Sequence, residues 1–184
     1  MELTVFLISV ASLVVVAVGA MVLSGNEDAK LRSAKEAEGA LDHYARQSGW
    51  THVPKEVAVP AGRMITLPGV GRRAAVAGTH EGRTACVAIL CSYVNNPAAG
   101  AHNGVATFAL VVVFDAPELP GEGPVDVDPR SFSALRPHQP PVVDVAGGLV
   151  CFTFPDVAVA GQIEHAVALA HDVVKAFVSV TNAE

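Results

Sequence analysis

Charge is the first thing missing from this chain: from Leu3 to Leu23 there is not one Asp, Glu, Lys or Arg. Aromatic residues are scarce at 5% of the sequence, basic residues number only 12, and there are just three cysteines. Each shortage excludes something. Phosphate binding needs clustered Lys and Arg, and a formal net charge of −6 argues against nucleic acid as the main partner. Cys86, Cys91 and Cys151 cannot all pair within one chain, so a disulfide framework is ruled out, and an odd count suits a reducing compartment. Cys86 and Cys91 lie an odd number of residues apart along a strand-like run. Their side chains should therefore face opposite sides of a sheet.

The uncharged run is then the main feature present. Its 21 residues reach about 31 Å as a helix, the thickness of a bilayer's hydrocarbon core. Thirteen of them are Leu, Ile, Val or Phe, which favours insertion by several kcal/mol even after Thr4, Ser9, Ser12 and Gly19 are counted, at about −0.3 to −0.6 kcal/mol each. A cleaved signal peptide has a basic first segment and a shorter apolar stretch. Only Glu2 precedes this one. Val18-Gly19-Ala20 does offer a small-residue cleavage site, and cleavage there would start the mature chain at Met21. The expectation is a retained anchor over 1–24. Lys30, Arg32 and Lys35 follow it and no Lys or Arg precedes it, which puts the amino terminus outside and the domain in the cytoplasm. Ser9, Ser12, Val16, Gly19 and Ala20 share one side of the span, a candidate face for another membrane helix or a second copy, because small residues let backbones approach closely.

Past the anchor, residues 25–49 read as an amphipathic juxtamembrane helix. Ala34, Ala37, Leu41, Tyr44 and Ala45 line one face, charged residues populate the other, and Gly49 terminates it in the left-handed conformation. Residues 50–184 are enough for one domain. Trp50 to Val53 reads as a short strand stopped by Pro54. Arg73–Thr79 and Arg83–Val94 form a hairpin about His80-Glu81-Gly82. Val105–Phe114 is apolar on both faces and so central in the sheet. The proline-rich stretch from Ala116 to Pro141 reads as a surface excursion with one helical turn near Ser131–Leu135. Val142–Val145 and Leu149–Phe154 pair about Gly147-Gly148. Pro155-Asp156 opens a last helix reaching Val178, with Ile163, Val167, Ala170, Val174 and Phe177 on its buried face. A helix, a run of strands and a helix make an α+β protein: a transmembrane helix, then a mostly antiparallel sheet packed with two helices.

Chemistry-bearing motifs are weak. Seven histidines invite a metal, but His165 and His171 are six apart, about 600° around a helix, and His43, His52, His80, His102 and His138 stand alone in sequence. The cysteines sit in apolar strand sequence, where a thiol is a small hydrophobe. Ser92 and Ser131 lack a nucleophile elbow. No catalytic, metal or cofactor site is therefore expected. Gly69-Val70-Gly71-Arg72-Arg73 reads first as a turn leading into a solvated strand start, since a lone G-x-G lacks the strand and helix of a phosphate loop. The alternative is an anion cradle, with Arg63, Arg72 and Arg73 the candidates for lipid-headgroup contact.

An amino-terminal span, a helix ending in Gly49-Trp50, the turn Gly78-Thr79-His80-Glu81-Gly82-Arg83 and the strand start Gly147-Gly148-Leu149-Val150 together make a pattern. It resembles a group of single-span actinobacterial membrane proteins of unknown function, and the resemblance covers most of the chain. That group carries further strand and acidic segments where Ala116–Pro141 stands here. The resemblance implies architecture and bacterial source, and transfers no functional residue. Two functions compete. The first is a membrane-anchored, non-catalytic interaction module, an accessory subunit or scaffold of a larger membrane assembly. The alternative is a membrane-tethered sensor domain that binds a small molecule or lipid on the open face of the sheet.

Overall fold

Seven antiparallel strands form one sheet in the order β1-β2-β3-β4-β7-β6-β5. The computed structural model describes residues 32–55, 70–94, 105–135, 140–155 and 161–181. Its elements are α1 (32–48), β1 (Thr51–His52), β2 (Val70–His80), β3 (Arg83–Val94), β4 (Val105–Asp115) and β5 (Gly123–Val125). A 3-10 helix (Pro129–Leu135), β6 (Val142–Ala146), β7 (Leu149–Phe154) and α2 (Ile163–Thr181) complete it. The expected α+β architecture is present. The 1–24 anchor, with Ser9, Ser12, Val16, Gly19 and Ala20, lies outside the described residues, and no described helix is long and apolar enough to cross a membrane.

Alternation along the strands sorts the side chains into two layers. Val76, Val87, Ile89, Leu110, Val112, Phe114, Val150, Phe152 and Phe154 face the layer that holds both helices. α1 contributes the five residues its periodicity marked, all 6% exposed or less. α2 contributes Ile163, Ala166, Val167, Ala170, Val173 and Val174. Each Val, Leu, Ile or Phe side chain withdrawn from water is worth about 1.5–3 kcal/mol, so the sheet and its two helices stabilise one another. Ala75, Ala88, Leu90, Val111, Val113 and Cys151 form a second buried cluster on the other face, and it includes no helical residue. That face is therefore not an open apolar platform: Leu90, Val111 and Val113 are 2%, 0% and 3% exposed. Cys86 and Cys91 do fall on opposite faces, Cys91 beside Ala34 of α1.

Two hairpins are set by their turns. Glu81 and Gly82 connect β2 to β3 with φ of 47° and 84°, the paired left-handed geometry that matches strand twist in a two-residue loop. Gly147 and Gly148 do the same between β6 and β7 with φ of 59° and 76°. β4, fourth of seven strands, is central as its sequence requires.

Two expectations need correction. The proline-rich segment is not a mere surface excursion. Ala116, Leu119, Phe132 and Leu135 are buried in the main core, and the Phe132 ring packs 5.9 Å from Phe152 and 5.7 Å from Phe154 between centroids. The segment also supplies β5, which pairs with β6 at the sheet edge, where Pro124 is tolerated. The last helix starts at Ile163, later than Pro155 suggested and just past Gly161, a residue that costs about 1 kcal/mol in a helix interior.

Candidate functional site

Strand parity puts Val76, Gly78 and His80 in one row facing the helices, so the row ends in an imidazole at the mouth of the β2–β3 turn. The turn forces Glu81 out beside it. α2 passes the same place and buries His171 to 3% exposure, on the face that also carries Val167 and Val174. His171 Nδ1 then lies 3.4 Å from Glu81 Oε2, and the His80 and His171 rings meet edge to face with centroids 5.1 Å apart. Phe114 of β4 closes the floor, its ring 6.2 Å from His80 and 5.5 Å from His171. One ligand atom from each of His80, Glu81 and His171 lies within 4.8 Å of the others.

Lys175, one helical turn beyond His171, donates to Glu81 Oε2 at 3.3 Å. That hydrogen bond, then the lysine's charge and that of His171, hold the Glu81 carboxyl below the usual carboxylate range. Burial pushes His171 below the usual imidazole value, against the pull of Glu81, and His80 adds to the lowering. The arrangement at neutral pH is a neutral His171 imidazole, its value lowered, facing the Glu81 carboxylate. Nothing in the sequence marks it, because His80 and His171 come from the first hairpin and the last helix. His80-Glu81 read only as turn residues, and His171 only by its mismatch with His165.

Elsewhere the candidates disperse. Arg73, the extra residue of a β-bulge between Arg72 and Ala74, pairs with Glu38 of α1 and lies over the Phe108 ring at 5.6 Å. Arg72 donates to the Pro54 carbonyl. Both arginines thus have partners inside the chain, and Arg63 lies outside the described residues, as do His102 and His138. His165 is exposed on α2, His52 faces Asp42 at 3.5 Å on the surface, and His43 is exposed. Burial raises the thiol of Cys86 to about 11 and that of Cys151 to about 12, which removes the thiolate a nucleophile needs.

An open groove of about 500 Å³ runs between α1 and α2, lined by His43, Tyr44, Gln47, Gln162, Glu164 and His165 among others. Burial raises the Tyr44 hydroxyl above its usual value, opposed by a hydrogen bond with Ser48 and reinforced by Glu164. No family model, curated protein or solved structure matches this chain.

Proposed function

We propose that this chain is a membrane-anchored, non-catalytic interaction module, an accessory subunit or scaffold of a larger membrane assembly. The observation that carries it is the position of α1. Ala34, the first buried residue of the helix, is 0% exposed, and only the ten positions Ser24–Ser33 separate it from the apolar run. Ten residues span at most about 36 Å, so a domain tied to an anchor there works at the bilayer surface. The lipid bilayer is its first partner. A membrane protein or a second copy, met along Ser9, Ser12, Val16, Gly19 and Ala20, is the next. The basic flank supports a cytoplasmic domain with the amino terminus outside. Kinship with the single-span actinobacterial proteins belongs to the same proposal.

The experiment has two arms. A reporter active on one side of the membrane, fused after Glu184, should report the cytoplasmic side, and the chain should stay in the membrane through an alkaline wash. Ser12→Leu with Gly19→Leu should then reduce recovery of a stoichiometric partner in gentle detergent. A chain beginning at Met21, or one released without detergent, would overturn the anchor. Unchanged recovery would overturn the packing face.

The alternative, a tethered small-molecule sensor, is favoured by one observation: the α1–α2 groove has the volume of a ligand site and a lining of hydrogen-bonding side chains. It moves the ligand from the sheet face to the helix pair. Native mass measurement on the detergent-extracted chain distinguishes the two, since a sensor carries a small ligand and a scaffold a protein.

A further inference from the structure

Three donors of the right chemistry meet where the first hairpin touches the last helix. We infer that His80, Glu81 and His171 form a transition-metal site of the zinc type, with three protein ligands and a fourth position open to solvent.

The first support is distance. Around a tetrahedral ion with bonds of about 2.0–2.1 Å, ligand atoms lie about 3.3–3.4 Å from one another. His171 Nδ1 and Glu81 Oε2 are already 3.4 Å apart, and one ligand atom from each of the three residues lies within 4.8 Å of the others. His80, half-buried at the end of β2, would have to close the remaining distance on binding. The second support is donor type. Two imidazoles and one carboxylate suit zinc and its first-row neighbours, whereas calcium and magnesium take oxygen ligands. The third is rigidity. His171 is packed against Phe114 in a helix anchored by Ala170, Val173 and Val174, and Glu81 is aimed by a turn whose φ of 47° is unusual for a residue with a side chain. Glu81 is exposed, so the ion would enter from solvent and keep one face toward it.

Lys175 sets the competing possibility. It shares Glu81 Oε2 with His171, and the three groups on their own make a polar latch between the hairpin and α2. Metal and ammonium compete for one carboxylate oxygen. Removing the ammonium therefore weakens a latch and strengthens a metal site.

The test uses the full chain in detergent, stripped with a chelator and titrated with Co²⁺, then with Zn²⁺. Co²⁺ should saturate at one ion per chain with the intense visible absorption of four-coordinate cobalt, and Zn²⁺ should displace it. His80→Ala and Glu81→Gln should each weaken binding by at least about tenfold while leaving the far-ultraviolet circular dichroism unchanged. Lys175→Met should tighten it. The exposed pair His43→Ala with His165→Ala should leave it unaltered. His171→Ala opens the core, so the test rests on the two turn variants. Substoichiometric binding, or one equivalent that survives both turn substitutions, would overturn the site. So would a Lys175→Met chain that binds more weakly.

Discussion

A Cβ placed on Gly78 would fall 2.5 Å from two ring atoms of Trp50. The indole occupies the space that a side chain on β2 would need. α1 delivers it there: Gly49 turns left-handed at φ 68°, and the Trp50 N–H reaches back to the Ala45 carbonyl at 2.9 Å in a Schellman closure. Trp50 Nε1–H then donates to the Thr79 carbonyl at 3.2 Å, and Tyr44 meets the ring edge-on at 5.2 Å. The motifs Gly49-Trp50 and Gly78-Thr79 are two halves of one joint between helix and sheet.

Gly78→Ala should accordingly destabilise the domain by about 1–3 kcal/mol through overpacking. At about 2–4 °C per kcal/mol for a chain of this size, thermal unfolding followed by circular dichroism should show the loss. Trp50→Leu costs stability alone but relieves the clash, so the double variant should be less damaged than the sum of the two. Strict additivity would show that Gly78 is not shaped by Trp50.

Phe132 makes a second prediction. It is 1% exposed and sits on Phe152 and Phe154 of β7, although it belongs to a segment of prolines and acidic residues. Phe132→Ala should cost about 3–5 kcal/mol, the range for an aromatic removed from a core. Ser133→Ala, at a neighbouring exposed position, should cost under about 0.5 kcal/mol. Chemical denaturation separates these outcomes, and a Phe132 variant as stable as the Ser133 one would return the segment to the surface.

That segment marks the limit of what the sequence tells. Periodicity found α1 and the inner face of α2, because burial of one face writes itself into spacing; β4 showed as a continuous apolar run because both its faces are buried. Glu81-Gly82 and Gly147-Gly148 announced their turns, because left-handed backbone is costly for most side chains. β5 has three residues, Gly123-Pro124-Val125, too few to show an alternation, although Val125 packs against the main core. Nothing in the segment's sequence marks Phe132 as a core residue, because its partners Phe152 and Phe154 lie in another hairpin. The His80–Glu81–His171 cluster failed to show for the same reason: donors for a shared site carry no mutual spacing when the fold, not one element, brings them together.

Arg83 and Glu118 give a pH prediction. Arg83 opens β3, pairs with the Glu118 side chain and donates to the Asp115 carbonyl at 3.1 Å, tying β3 to the segment after β4. The hydrogen bond from Arg83 is the main cause that holds the Glu118 carboxyl below the usual range. A lowered carboxyl stabilises the fold above the unfolded carboxylate value of about 4.3, and the contribution drains away as pH falls through the folded value. Both side chains keep some solvent contact, so the effect is at most about 1 kcal/mol. Glu118→Gln should lower stability at pH 7 and leave it nearly unchanged at pH 2–3. A variant equally destabilised at both would point to lost packing instead of charge.

The thiols titrate in the opposite sense. Cys151 lies in the second buried cluster and the partly buried Cys86 packs against it, and burial is the main reason their values stand at about 12 and about 11. The Oγ1 of Thr153, 3.9 Å from the Cys151 sulfur, offsets a little of that. A raised thiol is still protonated in the folded chain at a pH where the unfolded chain, near 8.5, has begun to lose its protons. Its contribution is complete below that value and is lost as pH rises toward the folded ones. Two measurements follow. At pH 8 a thiol-specific disulfide reagent should modify Cys86 and Cys151 far more slowly in the folded chain than in denaturant. Cys151→Ala should also flatten the fall in stability between pH 8.5 and pH 11, since one of the groups that release a proton on unfolding is gone. Rapid modification of the folded chain would mean that this face of the sheet opens to solvent, and the alkaline loss would then vanish with it.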